Sequence, residues 1–552
     1  MNLREIRLKF RTGAWLEAAF TEDGEANGLR WRLSDSGERF ALTLDASEET
    51  ELEVVRAEFS YLFGRKDMLF LNGYQSWTDS REHSVNGRMH DVSGLPSALL
   101  DRYAFDRYGD YNFVKYGKRR GELHGFSYAY IRRGTQFELF GSLAEESGFT
   151  VIRFDTNRNT VVLEKDCRGH HFTGVYPVFD LAVLRGDEED VFDRYFALLG
   201  TPRPRGGRIR GYTSWYNLYE NISEASVEAD LAGFAAAETP PDVFQIDDGY
   251  ETAVGDWLSV DPVKFPHGLK PLTEKIRGAG MTAGLWLAPF AAEKDSALVR
   301  EHPDWLLRDA EGEPVVGGSN WSGFYGLDIY NEAFRAYLRE VFDTVTGEWG
   351  FRFVKLDFLY AACIVPRRDK TRARVMFDAM RLLRELCGDA WILGCGVPLA
   401  PAFGLVDYCR IGCDVSLTWN DEIYMRLMHR ERISTKHSVM NTIYRRELDG
   451  RAFRNDPDVF LLRDDNIRLS KGQRRSLTVI NALFGSLLMT SDDIGSYDKE
   501  KKAILEEALQ LFREGNVLDC RRKDRSIQIT YELQGKQRRL HYEFNRGILR
   551  EE

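Results

Sequence analysis

Residues 351–358 read FRFVKLDF, and their place between two helical stretches decides the fold. Phe353, Val354 and Leu356 make the run apolar on both faces, as in a strand buried on both sides of a parallel sheet. Upstream lies EAFRAYLREVFDTVTGEWG (332–350) and downstream ARVMFDAMRLLRELCG (373–388), each with apolar residues at three- and four-residue spacing. The same strand-then-helix rhythm extends outward in both directions. Its other strand segments are RGYTSWY (210–216), VFQIDD (243–248), TAGLWLAPF (282–290), WILGCG (391–396), VDYCRIGCD (406–414), RAFRNDPD (451–458) and GSLLMTSDD (485–493). Eight strands alternating with helices across 206–498 predict a closed (β/α)8 TIM barrel. An open doubly wound sheet would carry a Gly-rich phosphate turn after its first strand, and TSWYNLYE (213–220) has none.

The flanks read differently. Residues 1–205 hold alternating or aromatic runs broken by turn residues, among them FALTLDAS (40–47), ELEVVRAEFSYLF (51–63), FELFGSLAEE (137–146), FTVIRF (149–154) and TVVLEKD (160–166). Such a series predicts an N-terminal β-sandwich, with TPRPRGGRIRG (201–211) at its boundary. The segment 499–552, with SIQITYEL (526–533) and RRLHYEF (538–544), predicts a helix and a small C-terminal antiparallel β domain. The whole is a multidomain α/β plus β chain.

With 43% hydrophobic and 29% charged residues the composition is that of a globular protein. A formal net charge of −11 disfavours nucleic acid or an anionic membrane as the main partner, and no apolar run is long enough to span a bilayer. The seven cysteines show no paired framework and MNLREIRLKFRTG (1–13) has no apolar core, so a reduced cytoplasmic location is expected. The aromatic share of 12% suits stacking on sugar rings, although most such side chains are core.

In a barrel of this kind the active site lies at the C-terminal strand ends. Those ends carry Trp215, Asp247, Asp248, Trp286, Lys355, Asp357, Cys395, Arg410, Asp414, Asp456, Asp458, Asp492 and Asp493. One carboxylate at a strand end is often only a helix cap, but so many on one rim are not all caps. Paired carboxylates among aromatics, without recognisable metal ligands, point to glycoside hydrolysis, in which one acid protonates the leaving oxygen and the other attacks the anomeric carbon or activates water. Lys355, two residues before Asp357, shares its direction and is expected to hold Asp357 ionised; the bland alternative is an interior salt bridge. Asp414 follows Ile411, Gly412 and Cys413, a weakly polar approach expected to raise its pKa for general-acid work. HExxH, CxxC, P-loop and GxSxG signatures are absent from suitable positions. His170 and His171 read as structural or exposed, and Cys409 with Cys413 as a poor zinc pair. No cofactor and no metal are expected.

At this point the motifs NGYQSW (72–77), YTSWYN (212–217), VFQIDDGY (243–250), GLWLAPF (284–290), VKLDF (354–358), GCGVPL (394–399), LVDYCRIGCD (405–414), NDPD (455–458) and SDD (491–493) stand in an order that resembles glycoside hydrolase family 36, the melibiase-type α-galactosidases. The resemblance covers about 45–495 and implies retaining hydrolysis of terminal α-linked galactose, with Asp357 as nucleophile and Asp414 as acid/base. It also implies that Asp247 and Asp248 bind O4 and O6, that Lys355 binds hydroxyls near O3 and O4, and that Cys395 and Gly396 line the C2 side. Arg410 would lie near the acid/base, Trp215 and Trp286 would form pocket walls, and Trp77 would reach over the mouth from the N-terminal domain. The implied partner is a galactose-containing oligosaccharide, and a homo-oligomer is allowed. An α-N-acetylgalactosaminidase, a transglycosylating relative, a metal-dependent barrel hydrolase and a catalytically silent sugar-binding protein are the alternatives.

Overall fold

The computed structural model describes residues 1–235, 240–420 and 422–552. Its centre is a ring of parallel strands: β1 (Ile209–Thr213), β2 (Val243–Ile246), β3 (Thr282–Leu287), β4 (Phe353–Leu356), β5 (Trp391–Gly394), β6 (Tyr408–Arg410), β7 (Arg454–Asp456) and β8 (Leu487–Thr490). They pair in sequence order from β1 to β7, and β8 pairs with β1. Both faces of β2 and β4 are buried throughout, which is why these strands read as continuous apolar runs.

The ring closes by an unusual route. β7 pairs with β6, but the pairing with β8 is made by Val459–Phe460, after a gap of two residues beyond the end of β7. Between the two ladders stand Pro457, which has no N–H to give, and Asp458, whose φ is +74°. The seventh strand is thus split, and the break turns the Asp458 side chain into the barrel mouth.

Between β3 and β4 the chain makes a long excursion through a three-stranded antiparallel sheet of Ala291–Glu293, Val316–Gly318 and Phe324–Gly326. The helix Arg372–Cys387 then packs its apolar stripe, including Val375, Met376, Ala379, Leu382, Leu383 and Leu386, against the barrel core. Thr371 caps its start, accepting from the Arg374 N–H at 3.2 Å.

The N-terminal region forms a hydrogen-bonded antiparallel network of 13 strands. FALTLDAS and ELEVVRAEFSYLF, which the sequence reads as separate strands, belong to one continuous strand, Arg39–Ser60. No Gly or Pro interrupts the intervening residues, so the extended backbone persists. The register with Asn2–Arg11 skips Glu53, and the buried positions switch from even to odd numbers across it. One extra residue has flipped the inward face, as a β-bulge does. At the other end of the chain the helix Lys499–Glu514 leads into a four-stranded antiparallel sheet over Asn516–Glu551.

Candidate active site

β4 and the residue after it set the centre. The backbone N–H of Asp357 donates to the Leu287 carbonyl at 2.9 Å, fixing the carboxyl at the strand end. Its Oδ1 accepts from the Phe358 N–H at 2.8 Å and its Oδ2 from the Trp286 indole at 3.1 Å. Phe358 is held at φ +50°, a left-handed conformation rare for a bulky residue, and this lets its N–H turn back onto the carboxyl.

Lys355 sits closer to another partner. Its Nζ donates to Asp247 Oδ2 at 2.9 Å and lies 3.9 Å from Asp357 Oδ2. Asp247 Oδ2 also accepts from Gln245 Nε2 at 2.6 Å and Thr213 Oγ1 at 3.0 Å. Burial works against the charge on Lys355, but Asp247 and Asp357 overcome it and raise its pKa. For Asp357 burial wins: its carboxyl is pushed above the ordinary value, with Lys355, Cys395 and Trp286 opposing and Asp414 adding to the rise. Lys355 does favour the charged form of Asp357, as expected, but it is shared: its shorter contact is with Asp247, and burial outweighs its effect on Asp357.

Asp414 differs from expectation. Ile411 and Cys413 are buried, but the carboxyl itself meets Arg410: Nη1 donates to Oδ1 at 2.8 Å. The same guanidinium meets Asp456 Oδ2 at 3.1 Å through Nε and Asp458 Oδ1 at 2.8 Å through Nη2. Asp414 is the exposed member of this set, with 36% of its side chain accessible against 1% for Asp456 and Asp458. Its surroundings are charged, not weakly polar, since residues four apart past a short strand bring Arg410 alongside. Burial pushes Asp458 up to about 7 despite Arg410, with Asp414 and Asp456 contributing.

The other walls come from separate elements. Cys395 and Gly396 follow β5, and Cys395 Sγ accepts from the Trp77 indole at 3.3 Å. Gly396 has φ +56°, and a Cβ there would stand 2.8 Å from the Trp77 ring, so the tryptophan occupies the space a side chain would need. Trp77 also packs edge-on to Phe358 and Tyr360. Its loop is held by Arg445, fully buried on the helix Thr435–Tyr444 side of the barrel, which donates to Asn72 Oδ1 (3.2 Å) and to the carbonyls of Gln75 (3.1 Å), Ser76 (2.6 Å) and Ile411 (2.9 Å). Trp215 is half-buried just past β1, edge-on to Tyr219, while Trp286 is buried against Trp257 and Trp321.

Several participants escaped the sequence. Trp321, in SNWSG (319–323) of the excursion after β3, donates its indole N–H to Asp248 Oδ2 at 3.0 Å. A large aromatic among small polar residues was the available signal. Tyr216 donates to Asp458 Oδ2, a contact with no local signature. Conversely, two rim carboxylates are structural: Asp493 caps the turn Ile494–Ser496, and Asp492 Oδ2 accepts from the N–H groups of Leu462 and Arg463. Among the described residues no group of three or more His, Cys, Asp or Glu has a metal-holding arrangement.

Residues 214–380 match the melibiase family model. The melibiase match includes Asp247, Asp248, Trp286, Lys355 and Asp357. Over the full chain, an α-galactosidase from Thermus thermophilus, solved with p-nitrophenyl α-D-galactopyranoside, is similar at 27% identity and a TM-score of 0.72, covering 97% of this chain and 98% of that one. A Flavonifractor plautii A type blood α-D-galactosamine galactosaminidase is 35% identical over 124 residues, 21% of this chain and 11% of that protein. The α-galactosidase AgaA of Geobacillus stearothermophilus is 26% identical over 290 residues, 49% of this chain and 38% of that protein. The chain thus spans well under two thirds of the curated relatives it matches.

Proposed function

We propose that this protein is a retaining α-galactosidase acting on terminal α-linked galactose of oligosaccharides. The observation that carries the reading is the unequal setting of two carboxyls at one mouth: Asp357 buried among fixed donors, Asp414 half-buried beside Arg410. Asp357 attacks the anomeric carbon as the C1–O bond breaks, and Asp414 gives its proton to the leaving oxygen. A covalent galactosyl-enzyme results. Water then attacks C1, Asp414 takes its proton, and the bond to Asp357 breaks, so configuration at C1 is retained overall. Asp247, Asp248 and Lys355 supply acceptors and a donor for the sugar hydroxyls, consistent with the roles the family resemblance implies. The relative from Thermus thermophilus has been solved with stachyose, an oligosaccharide of the class expected here.

Asp357→Ala is expected to reduce kcat by about 10⁴-fold or more on p-nitrophenyl α-galactoside, with azide restoring turnover. Unchanged activity would sink the assignment of Asp357. The N-acetylgalactosaminidase reading draws on the Flavonifractor relative. Against it, Trp77 packs onto Gly396 and hydrogen-bonds Cys395, closing the wall assigned to the C2 side. The matched N-acetyl substrate, assayed in parallel, decides between them.

A further inference from the structure

Barrel closure needs no charge at Asp458. The ladder resumes at Val459 through backbone groups, and Asn481 Nδ2 donates to the Asp458 carbonyl at 3.3 Å, so the peptide is held without the side chain. Yet a carboxyl stands here, 1% exposed, at a backbone φ of +74° that is uncommon outside glycine. Taking a carboxylate out of water is costly unless its partners offset the loss.

Those partners surround Asp414. Asp458 Oδ1 lies 2.8 Å from Arg410 Nη2, and Oδ2 accepts from the Val415 N–H at 2.7 Å and from the Tyr216 hydroxyl. Val415 directly follows Asp414, and Arg410 Nη1 donates to Asp414 Oδ1 at 2.8 Å. One carboxyl thus grips Asp414 twice, through the peptide after it and through the guanidinium beside it. Asp456 completes the frame: its Oδ2 accepts from Arg410 Nε at 3.1 Å and its Oδ1 from the Asp458 N–H at 2.8 Å. Tyr216 is itself fixed, because its N–H donates to Ser491 Oγ at 3.2 Å. Burial pushes Asp458 up to about 7, but Arg410, Val415 and Tyr216 all donate, and this set favours the carboxylate, with both oxygens free to accept.

We propose that Asp458 is a positioning residue for proton transfer at Asp414, fixing both the backbone after the acid/base and the guanidinium beside it. The proposal rests on the α-galactosidase reading. In the first step the Asp414 O–H bond and the C1–O bond break together and the proton goes to the leaving oxygen; in the second, water gives its proton to Asp414. Asp458 gains and loses no proton in either step. A misplacement of about 1 Å costs a reacting group about a hundredfold in rate. Here that loss falls on the leaving groups that need a proton. A sugar needs one, whereas p-nitrophenolate departs as an anion.

The test compares two substrates on the full chain through kcat/KM, which reports the first step. Asp458→Asn keeps the shape but sets an NH2 group where one oxygen accepted, donor against donor. Its kcat/KM is expected to fall about a hundredfold on raffinose and less than about threefold on p-nitrophenyl α-galactoside. With the aryl substrate, hydrolysis of the galactosyl-enzyme becomes limiting, so kcat and KM fall together and a burst of p-nitrophenolate appears. Tyr216→Phe removes one donor and leaves the Asp458 carboxyl in place; it should show the same split at about tenfold, and it decides the matter if Asp458→Asn does not fold. A purely structural role would lower kcat/KM equally on both substrates. Equal losses, or an unchanged value on raffinose, overturn the proposal. A wild type that hydrolyses neither substrate overturns the α-galactosidase reading and the proposal with it, whereas an active wild type with unsplit variants overturns the proposal alone.

Discussion

Asp357 owes its place to a strand end, but its chemical character to two neighbours that donate to it. The Trp286 indole is the side-chain member of that pair. Trp286→Phe keeps the apolar wall and removes the N–H. Losing a hydrogen bond to a charged group costs about 1.5–3 kcal/mol, so kcat should fall roughly ten- to hundredfold with KM little changed. A KM effect larger than the kcat effect would mark Trp286 as a wall instead of a donor. At this scale the sequence was legible wherever a residue's direction follows from strand alternation, as for Lys355 and Asp357. It was illegible where a partner comes from a distant loop, as Trp321 does for Asp248, or where backbone strain aims a side chain, as at Asp458. The nature of the Asp414 pocket was misread because neighbours along the chain, Ile411 to Cys413, stood in for neighbours in space.

The loop 72–80 is the element that joins the N-terminal sheet to the barrel mouth. It is held mainly through Arg445, a buried cation whose hydrogen-bond partners are carbonyl and amide oxygens. Burial drops its pKa to about 10, still far above neutrality, so it stays charged. Arg445→Met strands those oxygens, at about 1–3 kcal/mol for each one left buried and unpaired. The expected outcome is a lower Tm together with a KM increase exceeding any loss of kcat, because Trp77 loses its footing while Asp357 does not. Thermal denaturation and steady-state kinetics on one preparation check both halves. The barrel strands were readable because both faces are buried, whereas the bulge at Glu53 was not, since alternation on either side of it is intact.

Across the whole molecule, buried carboxyls tie regions together and make stability depend on pH. Glu431 accepts from Thr78 Oγ1 at 2.7 Å across the junction between the barrel and the N-terminal region. Burial and the nearby Asp110 push it up to about 7, against Arg430, Tyr111 and Thr78. Unfolded, the same group titrates near about 4.3. Its folded-state pKa is raised, so its contribution is fully present below the unfolded value and is lost as pH rises through about 7. Glu431→Gln, which has no charge to bury, should therefore gain in Tm relative to the wild type between about pH 5 and about pH 8. A Tm difference that is flat over that range would contradict the shift. The three-part architecture was legible from changes of rhythm along the chain, but the ionic seams between its parts were not, because their members are hundreds of residues apart.

The split seventh strand has a consequence for how this chain could be cut and rejoined. Pro457 and Asp458 leave the ladder open for two residues, so there the ring is completed by covalent continuity. A circular permutant with new ends at 457–458 would unseat Asp458, and with it one of the two buried carboxylates that orient Arg410 beside Asp414. New ends at the exposed turn around Gly312 would touch neither. The gap in the barrel wall is thus a place where the chain must remain unbroken.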